Sequence, residues 1–456
     1  MYATLFRHVL FPVYEGAILR RGTPRFQREY ARSEWYDGDR LAELQLAKLN
    51  RLLAHAWAEV PFLGDLWRTA GLSRAPLRRR DELAAYPILT KQLITDHYDD
   101  MIARSWRGRT LSKTTGGSSG TPFRLEYTSE SYARRNAIMW RGYGWAGCDV
   151  GTRAAYLWGV AHPHGRLAEL KERLYQRAYN RRFFDAFRIT EANVDEYIAG
   201  LEDYAPDVVV GYVAPVVLVA RRLNRLGRRL HGLRSVITGA EALYEPERAE
   251  IARAFGCPVF NTYGCREFML LASECPEHRG LHVNVDHVVL ETVDDAGRPV
   301  HGTSGDVLVT DLHNYGMPFV RYRNGDRATW SDARCPCGRG LPLLASVDGR
   351  ILDTIDTLDG RHVPGEFFVY AMLDLDTIQQ YLVVQTAADA IELQVVKRGE
   401  LTADERARIA DKLHGVVGPR CRILVRQVDA IAPAPSGKRR VTVSLLHAGD
   451  RRNDAA

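Results

Sequence analysis

The chain has 456 residues, 46% hydrophobic and 26% charged, with 62 basic against 56 acidic side chains and a net charge of +6. That balance suits a globular protein of two to four domains and excludes a disordered, collagen-like or disulfide-stapled chain. The longest apolar run, Val208 to Ala220, is broken by Gly211 and Pro215 and is too short to span a bilayer. The opening, MYATLFRHVLFPVYEG, lacks the basic lead and cleavage site of a secretory signal, so a cytoplasmic protein is expected. The basic excess reads as spread along the chain, not gathered into a nucleic-acid-binding stripe.

Residues 1 to 105 read as mainly helical. Leu41, Leu44, Leu46, Leu49, Leu52 and Leu53 recur close to a 3.6-residue period, which predicts a core-facing helix. From 110 to 290 strands alternate with helices. Asp207 to Val213, Ser235 to Gly239 and Cys257 to Tyr263 read as strands, Val216 to Leu226 and Pro246 to Phe255 as the helices between them. That order predicts a parallel sheet with helical crossovers. Over 281–345 the short runs His287 to Val293, Gly305 to Leu312 and Met317 to Arg323 predict an antiparallel meander or small barrel packed on that sheet. The expected fold class is therefore α/β: a large domain over 1–349, with parallel sheet, helices and a small antiparallel portion, then a small α+β domain over 350–456. In the latter, Gln380 to Gln385 and Ile391 to Val396 read as strands and Ala403 to Leu413 as a helix.

Four segments carry chemistry. Ser112 to Pro122 is almost wholly Gly, Ser and Thr, a composition that brings backbone N–H groups and hydroxyls to an anion; a mobile surface loop is the competing reading. Thr262-Tyr263-Gly264-Cys265-Arg266-Glu267 closes a predicted strand, where open α/β sheets place ligands, and Glu267 is an oxygen donor for Mg²⁺ or a helix-dipole partner. Asp326, in Arg321-Tyr322-Arg323-Asn324-Gly325-Asp326, suits a ribose diol or a plain turn. Lys438 sits in Pro435-Ser436-Gly437-Lys438, in a chain with only seven lysines (48, 91, 113, 171, 397, 412 and 438), so each lysine asks for a reason. Five of the seven cysteines fall between Cys257 and Cys337. Cys275, Cys335 and Cys337 with His282 or His278 make a four-donor zinc set, or else they are small buried hydrophobes.

Taken together, these segments resemble the adenylate-forming superfamily of acyl-CoA synthetases. Thr115 to Pro122 resembles its phosphate loop and Tyr263 to Glu267 its Tyr-Gly-x-Thr-Glu motif. Tyr322 to Asp326 is similar to its Tyr-Arg-Thr-Gly-Asp motif, Gly349-Arg350 to its hinge, and Ser436-Gly437-Lys438 to its C-terminal lysine motif. Within the superfamily the chain looks like the phenylacetate–CoA ligase and CapK-like branch, through Ala54 to Phe62, Pro87 to Lys91, Glu274-Cys275, Gly280-Leu281-His282 and Cys335-Pro336-Cys337-Gly338-Arg339.

The resemblance implies ATP-dependent activation of an aryl or arylacetic acid through an acyl-adenylate, followed by transfer to CoA. Gly117, Ser118, Ser119, Gly120 and Thr121 would hold the β- and γ-phosphates. Gly239, Ala240 and Glu241 would flank the adenine and Tyr263 would stack near it. Asp326 would bind the ribose, with Arg350 close by. Glu267 would hold Mg²⁺, and Lys438 would bridge the α-phosphate and the attacking carboxylate. Tyr212 and Ala240 would line the acid pocket. The branch favours Cys275, His282, Cys335 and Cys337 as ligands of a structural Zn²⁺. Assembly as a homodimer stays open.

Two departures stand out. Leu352 replaces the hinge carboxylate, which gives weight to transfer to an amine, a hydroxyl or a carrier instead of CoA. Arg266 replaces the common Thr. A zinc-dependent nucleic-acid-binding protein is the rival from another class, through Cys335-Pro336-Cys337 and the arginine content.

Overall fold

The computed structural model describes residues 2–115, 123–159, 166–186, 188–190, 192–241, 243, 245–294, 296–350, 355–359, 362–363, 367–368, 371–372, 375, 378–397, 399–431 and 442–446. It divides into two compact units, one of residues 1–112 and 125–350, the other of 113–124 and 351–456.

A strand pair, β1 (Leu111–Thr115) and β2 (Phe123–Tyr127), brackets the Ser/Gly run. In the larger unit the parallel core comprises β3 (Ala154–Trp158), β4 (Arg181–Asp185), β5 (Val208–Tyr212), β6 (Ser235–Gly239) and β7 (Val259–Cys265). Adjacent strands here run parallel in the order β4-β3-β5-β6-β7. All five residues of β5 and of β6 are buried, the signature of strands covered on both faces. The crossover helices Val213–Arg225 and Glu245–Phe255 supply one cover, through Val216, Val219, Leu223, Ile251 and Phe255. The α/β fold class thus holds.

The antiparallel portion differs from expectation. It is not a barrel packed on the sheet but its continuation. After β7 the chain turns tightly into β8 (Met269–Glu274), and β9 (Leu281–Val283), β10 (Val288–Val293), β11 (Gly305–Asp311), β12 (Tyr322–Ser331) and β13 (Leu343–Arg350) extend one eleven-stranded sheet in the order β10-β11-β12-β13-β9-β8-β7-β6-β5-β3-β4. The strand begins only at Tyr322, not at Met317 as the composition predicted. Pro318 has no N–H for a ladder, and Arg321 adopts a left-handed φ of 50° that ends any extended run before it.

The helix Gly38–Glu59 buries Leu41, Leu49, Leu52 and Leu53, as its period predicts, but also Gln45 and Lys48. Gln45 donates to the carbonyls of Val285 and Val288 at 2.9 and 2.8 Å, and Lys48 donates to that of Asp286 at 2.8 Å. These side chains satisfy backbone groups of a buried bend, where an apolar residue would leave them orphaned.

In the smaller unit β14 (Ile355–Asp356) pairs with β15 (His362–Val363), and β16 (Ile378–Ala387), β17 (Ala390–Lys397), β18 (Arg422–Gln427) and β19 (Thr442–Ser444) form a sheet in the order β18-β17-β16-β19. The helix Ala403–Val417 opens on a capping box between Thr402 and Glu405 and buries Ile409, Leu413, Val416 and Val417.

Candidate active site and Cys/His cluster

The carboxyl ends of the parallel strands and the start of β12 gather one group of polar residues. Successive side chains of a strand alternate faces, so Tyr322, Asn324 and Asp326 turn inward together while Arg323 and Gly325 do not. Asn324 donates to the Tyr263 hydroxyl at 2.9 Å and to Asp326 Oδ2 at 2.7 Å. The Tyr263 hydroxyl donates to the same Oδ2 at 2.9 Å, and the Asp326 N–H closes back on Asn324 Oδ1 at 3.0 Å. All three side chains are buried. Burial, then the adjacent Asp326 charge, holds the Tyr263 phenol far above its ordinary range, so it stays a neutral donor.

Glu267 lies in the turn between β7 and β8 and is 1% exposed. Its Oε1 accepts from the Tyr322 hydroxyl at 3.4 Å and lies 3.7 Å from Lys91 Nζ. Lys91 reaches it because Leu89 docks beside β12: the Leu89 N–H donates to Arg321 O at 3.1 Å and its carbonyl accepts from Arg323 N at 2.9 Å. Thr90 then caps the helix Lys91–Asp96, its hydroxyl accepting from Leu93 N. The sequence alone assigns no site role to Lys91, Tyr322 or Asn324. The scarcity of lysine was the available signal for Lys91, and the alternation along β12 was the signal for the other two.

The backbone around these groups explains the small residues. A Cβ on Gly264 would sit 1.9 Å from the Met269 carbonyl, and one on Gly239 would meet Thr262 Oγ1 at 2.7 Å. Ala240 holds a φ of 68°, a conformation natural to glycine, in a position where the resembled motif has Gly. Glu241 accepts from the Ala214 N–H at 2.6 Å, at the start of the helix Val213–Arg225. Tyr212 is buried against Trp158, ring centroids 4.2 Å apart. Arg350 faces Asp326 across the β12–β13 ladder. Gly117, Ser118, Ser119, Gly120, Thr121, Lys438 and Leu352 lie outside the described residues.

A second group forms where β8, β9 and the segment before β13 meet. Cys275, His282, Cys335 and Cys337 bring their donor atoms within 4.8 Å of one another. Cys275 Sγ lies 3.5 Å from Cys335 Sγ, and Cys337 Sγ lies 3.4 Å from His282 Nε2. A tetrahedral zinc with bonds of about 2.3 Å to sulfur and 2.0 Å to nitrogen needs edges of roughly 3.5–3.8 Å, so the donors fit that ion with small adjustments. His282 Nδ1 lies 2.9 Å from the Leu341 carbonyl, which can only accept. That fixes the proton on Nδ1 and turns the Nε2 lone pair toward the thiols. His278 instead faces Glu274 at 3.2 Å. Burial pushes the Cys275 thiol up to about 12 and lowers His282. Burial also opposes ionisation of Cys337, but the N–H groups of Arg339 outweigh it and bring that thiol below its ordinary range. The loop is tied to the helical lead-in: Arg339 Nε donates to Glu34 at 3.3 Å, Trp145 Nε1 donates to the same carboxylate at 3.1 Å, and Gly340 N donates to Glu34 O.

No helix among the described residues is long and apolar enough to cross a membrane. No profile of a known protein family matches the chain. It is 24% identical over 442 residues to a phenylacetate-coenzyme A ligase of Thermus thermophilus, covering 89% of this chain and 97% of that one. It is 22% identical over 382 residues to protein CapK of Staphylococcus aureus, covering 79% and 80%. Its fold matches a crystal structure of 2-hydroxyisobutyryl-CoA ligase in complex with 2-HIB-AMP and CoA, with a TM-score of 0.62 at 19% identity over 93% of this chain and 94% of the other. By sequence the chain is similar to a phenylacetate–CoA ligase and to CapK, and its fold is that of an acyl-CoA ligase.

Proposed function

We propose that this protein is an acid–CoA ligase that activates a carboxylic acid with ATP as an acyl-adenylate and then transfers the acyl group to CoA. The observation that supports this most is the buried ring of Tyr263, Asn324 and Asp326 beside Glu267. A carboxylate is a poor acyl donor. Attack of its oxygen on the α-phosphorus of ATP expels pyrophosphate and leaves a mixed anhydride whose leaving group is AMP. The CoA thiolate then attacks the acyl carbon, and AMP departs.

In this reading Asp326 accepts the ribose hydroxyls, its carboxylate aimed by Tyr263 and Asn324, with Arg350 near the ribose and phosphate. Residues 117–121 hold the outer phosphates with backbone N–H groups, and Gly239, Ala240 and Glu241 border the adenine. Tyr212 and Ala240 line the acid pocket, for which an aryl or arylacetic acid is the favoured class. Glu267 suits Mg²⁺ as a buried carboxylate oxygen donor in the turn after β7, with the Tyr322 hydroxyl and Lys91 beside it. Mg²⁺ would offset the repulsion between two anionic reactants. Lys438 would steady the attacking carboxylate and the α-phosphate. The Cys275, His282, Cys335 and Cys337 set suits a structural Zn²⁺, because four protein donors leave no open position.

The test is ATP–pyrophosphate exchange against a panel of aryl, arylacetic and aliphatic acids, followed by single-turnover discharge of the adenylate. Acid-dependent exchange and a CoA thioester are expected. Lys438→Ala should slow adenylation by orders of magnitude and spare thiolysis of supplied adenylate. Absence of exchange with every acid would refute the reading. Discharge to an amine or hydroxyl compound with CoA inert would replace the acceptor and give Leu352 its meaning.

A further inference from the structure

The first residues of the chain form a wide helical segment over Tyr2–Ile18, wound largely with i to i+5 hydrogen bonds such as Phe11 N to Phe6 O and Leu19 N to Tyr14 O. Phe6 and Phe11 are buried against Trp140, Val150 and Tyr179. On the outer side Leu5, Val9, Val13 and Ile18 recur every four to five residues, one stripe of this wider winding, and each is at least 49% exposed. The neighbouring helix Arg166–Ala178 exposes Leu167, Leu170 and Leu174, again one stripe, from 48% to 81%. The two elements are joined by Phe6 and Tyr14 against Tyr179, Tyr14 against Tyr175, and the Tyr2 hydroxyl donating to the Ala178 carbonyl. Exposed apolar surface on this scale marks a contact with something outside the molecule.

Charge says what. Residues 2–33 contain six Arg and two Glu, a net +4, and residues 166–178 contain four basic and two acidic side chains, a net +2. The two segments together give this region a local net charge of +6, although a second basic run, Arg221 to Arg234, carries six Arg and no acidic residue. Part of it is neutralised nearby, as by the Arg7–Asp149 pair. Arg25, Arg28 and Arg32, on the helix Thr23–Ser33, are exposed and line a shallow cavity of about 300 Å³ with Glu29 and Tyr36, and Glu29 is committed to Lys48 and Arg134. That helix and the Tyr2–Ile18 segment both cover the helix Ser129–Trp145, the one through Phe26 and Tyr30, the other through Phe6 and Phe11.

We infer that this region is a docking surface for an anionic lipid bilayer: the leucine and valine stripes enter the interface and the arginines meet the headgroups. Apolar side chains flanked by basic ones are the chemistry of a helix lying in a membrane plane. A second copy fits less well, since a two-fold contact would set one basic region against another. The membrane then holds the enzyme at its surface, and no helix among the described residues is long and apolar enough to span it.

The test is co-sedimentation of the full-length protein with vesicles of phosphatidylcholine alone or mixed with phosphatidylglycerol, beside sedimentation velocity without lipid. Binding to the anionic vesicles, weakened by high salt and about tenfold or more lower on neutral ones, is expected. Leu167→Ser/Leu170→Ser/Leu174→Ser and Arg25→Gln/Arg28→Gln/Arg32→Gln should each cut it by at least about tenfold. Both variants alter exposed side chains, so unchanged circular dichroism and ATP–pyrophosphate exchange show that the fold survives. No binding to anionic vesicles, or binding untouched by both variants, overturns the inference. So does self-association in buffer that the leucine variant abolishes while no vesicle binding is seen.

Discussion

Two polar clusters sit on one sheet and solve opposite problems. The Tyr263–Asn324–Asp326 ring is internally complete: each polar atom named has a partner, and one negative charge is shared among two donors. The Cys275–His282–Cys335–Cys337 cluster is arranged differently: three sulfur donors and one imidazole nitrogen converge within 4.8 Å of one another. The first is a preorganised surface that can wait for a ligand at little cost in stability. On the proposed zinc reading, the second would draw its stabilisation from an ion. Disturbing the first should therefore change kinetics, and disturbing the second should change folding.

The largest effect expected on the kinetic side comes from Glu267→Gln. Removing the buried charge while keeping the shape should lower adenylation by about 10²–10³-fold with the melting temperature nearly unchanged. A loss of fold instead of rate would erase the distinction. On the other side, Cys335→Ser should bring metal content from about one zinc per chain to near none and lower the melting temperature on the order of 5–10 °C, with activity per folded molecule kept. Elemental analysis and calorimetry on protein purified without chelator check it, and a metal-free wild type would remove the site.

Tyr263→Phe sharpens the comparison. It deletes one donor to Asp326 and leaves the Asn324 bond, so KM for ATP should rise about tenfold while kcat falls less. The smallest effect is assigned to Ala240→Gly. Relief of the left-handed φ of 68° is offset by the extra backbone freedom of glycine, and denaturant titration should show a change within about 1 kcal/mol. A loss well beyond that would mean the Ala240 methyl has packing of its own.

How legible was this arrangement beforehand? Ser235–Gly239 was read to the residue, since a buried strand bounded by Gly has a local signature. The antiparallel strands were seen as short runs, yet their place as further strands of the same sheet was not. Whether a meander packs on a sheet or extends it depends on hydrogen bonds between strands such as β9 and β13, far apart in sequence. The roles of Gln45 and Lys48 are not legible in the sequence, because a polar residue inside an apolar stripe gains meaning only from the carbonyls it serves.

By itself the sequence determined the kinds of chemistry available: the order of the motifs, the donor types at Cys275, Cys335 and Cys337, and the alternation that turns Tyr322, Asn324 and Asp326 to one face. These follow from local periodicity and composition, which a single segment contains. Only the tertiary structure decided which groups meet. It brought Lys91 to Glu267, chose His282 over His278 for the cysteine cluster, and laid the helix Thr23–Ser33 and the segment Tyr2–Ile18 over Ser129–Trp145. The physical reason is that such meetings depend on strand pairing and helix packing between segments distant in the chain, and no local pattern encodes a partner's position.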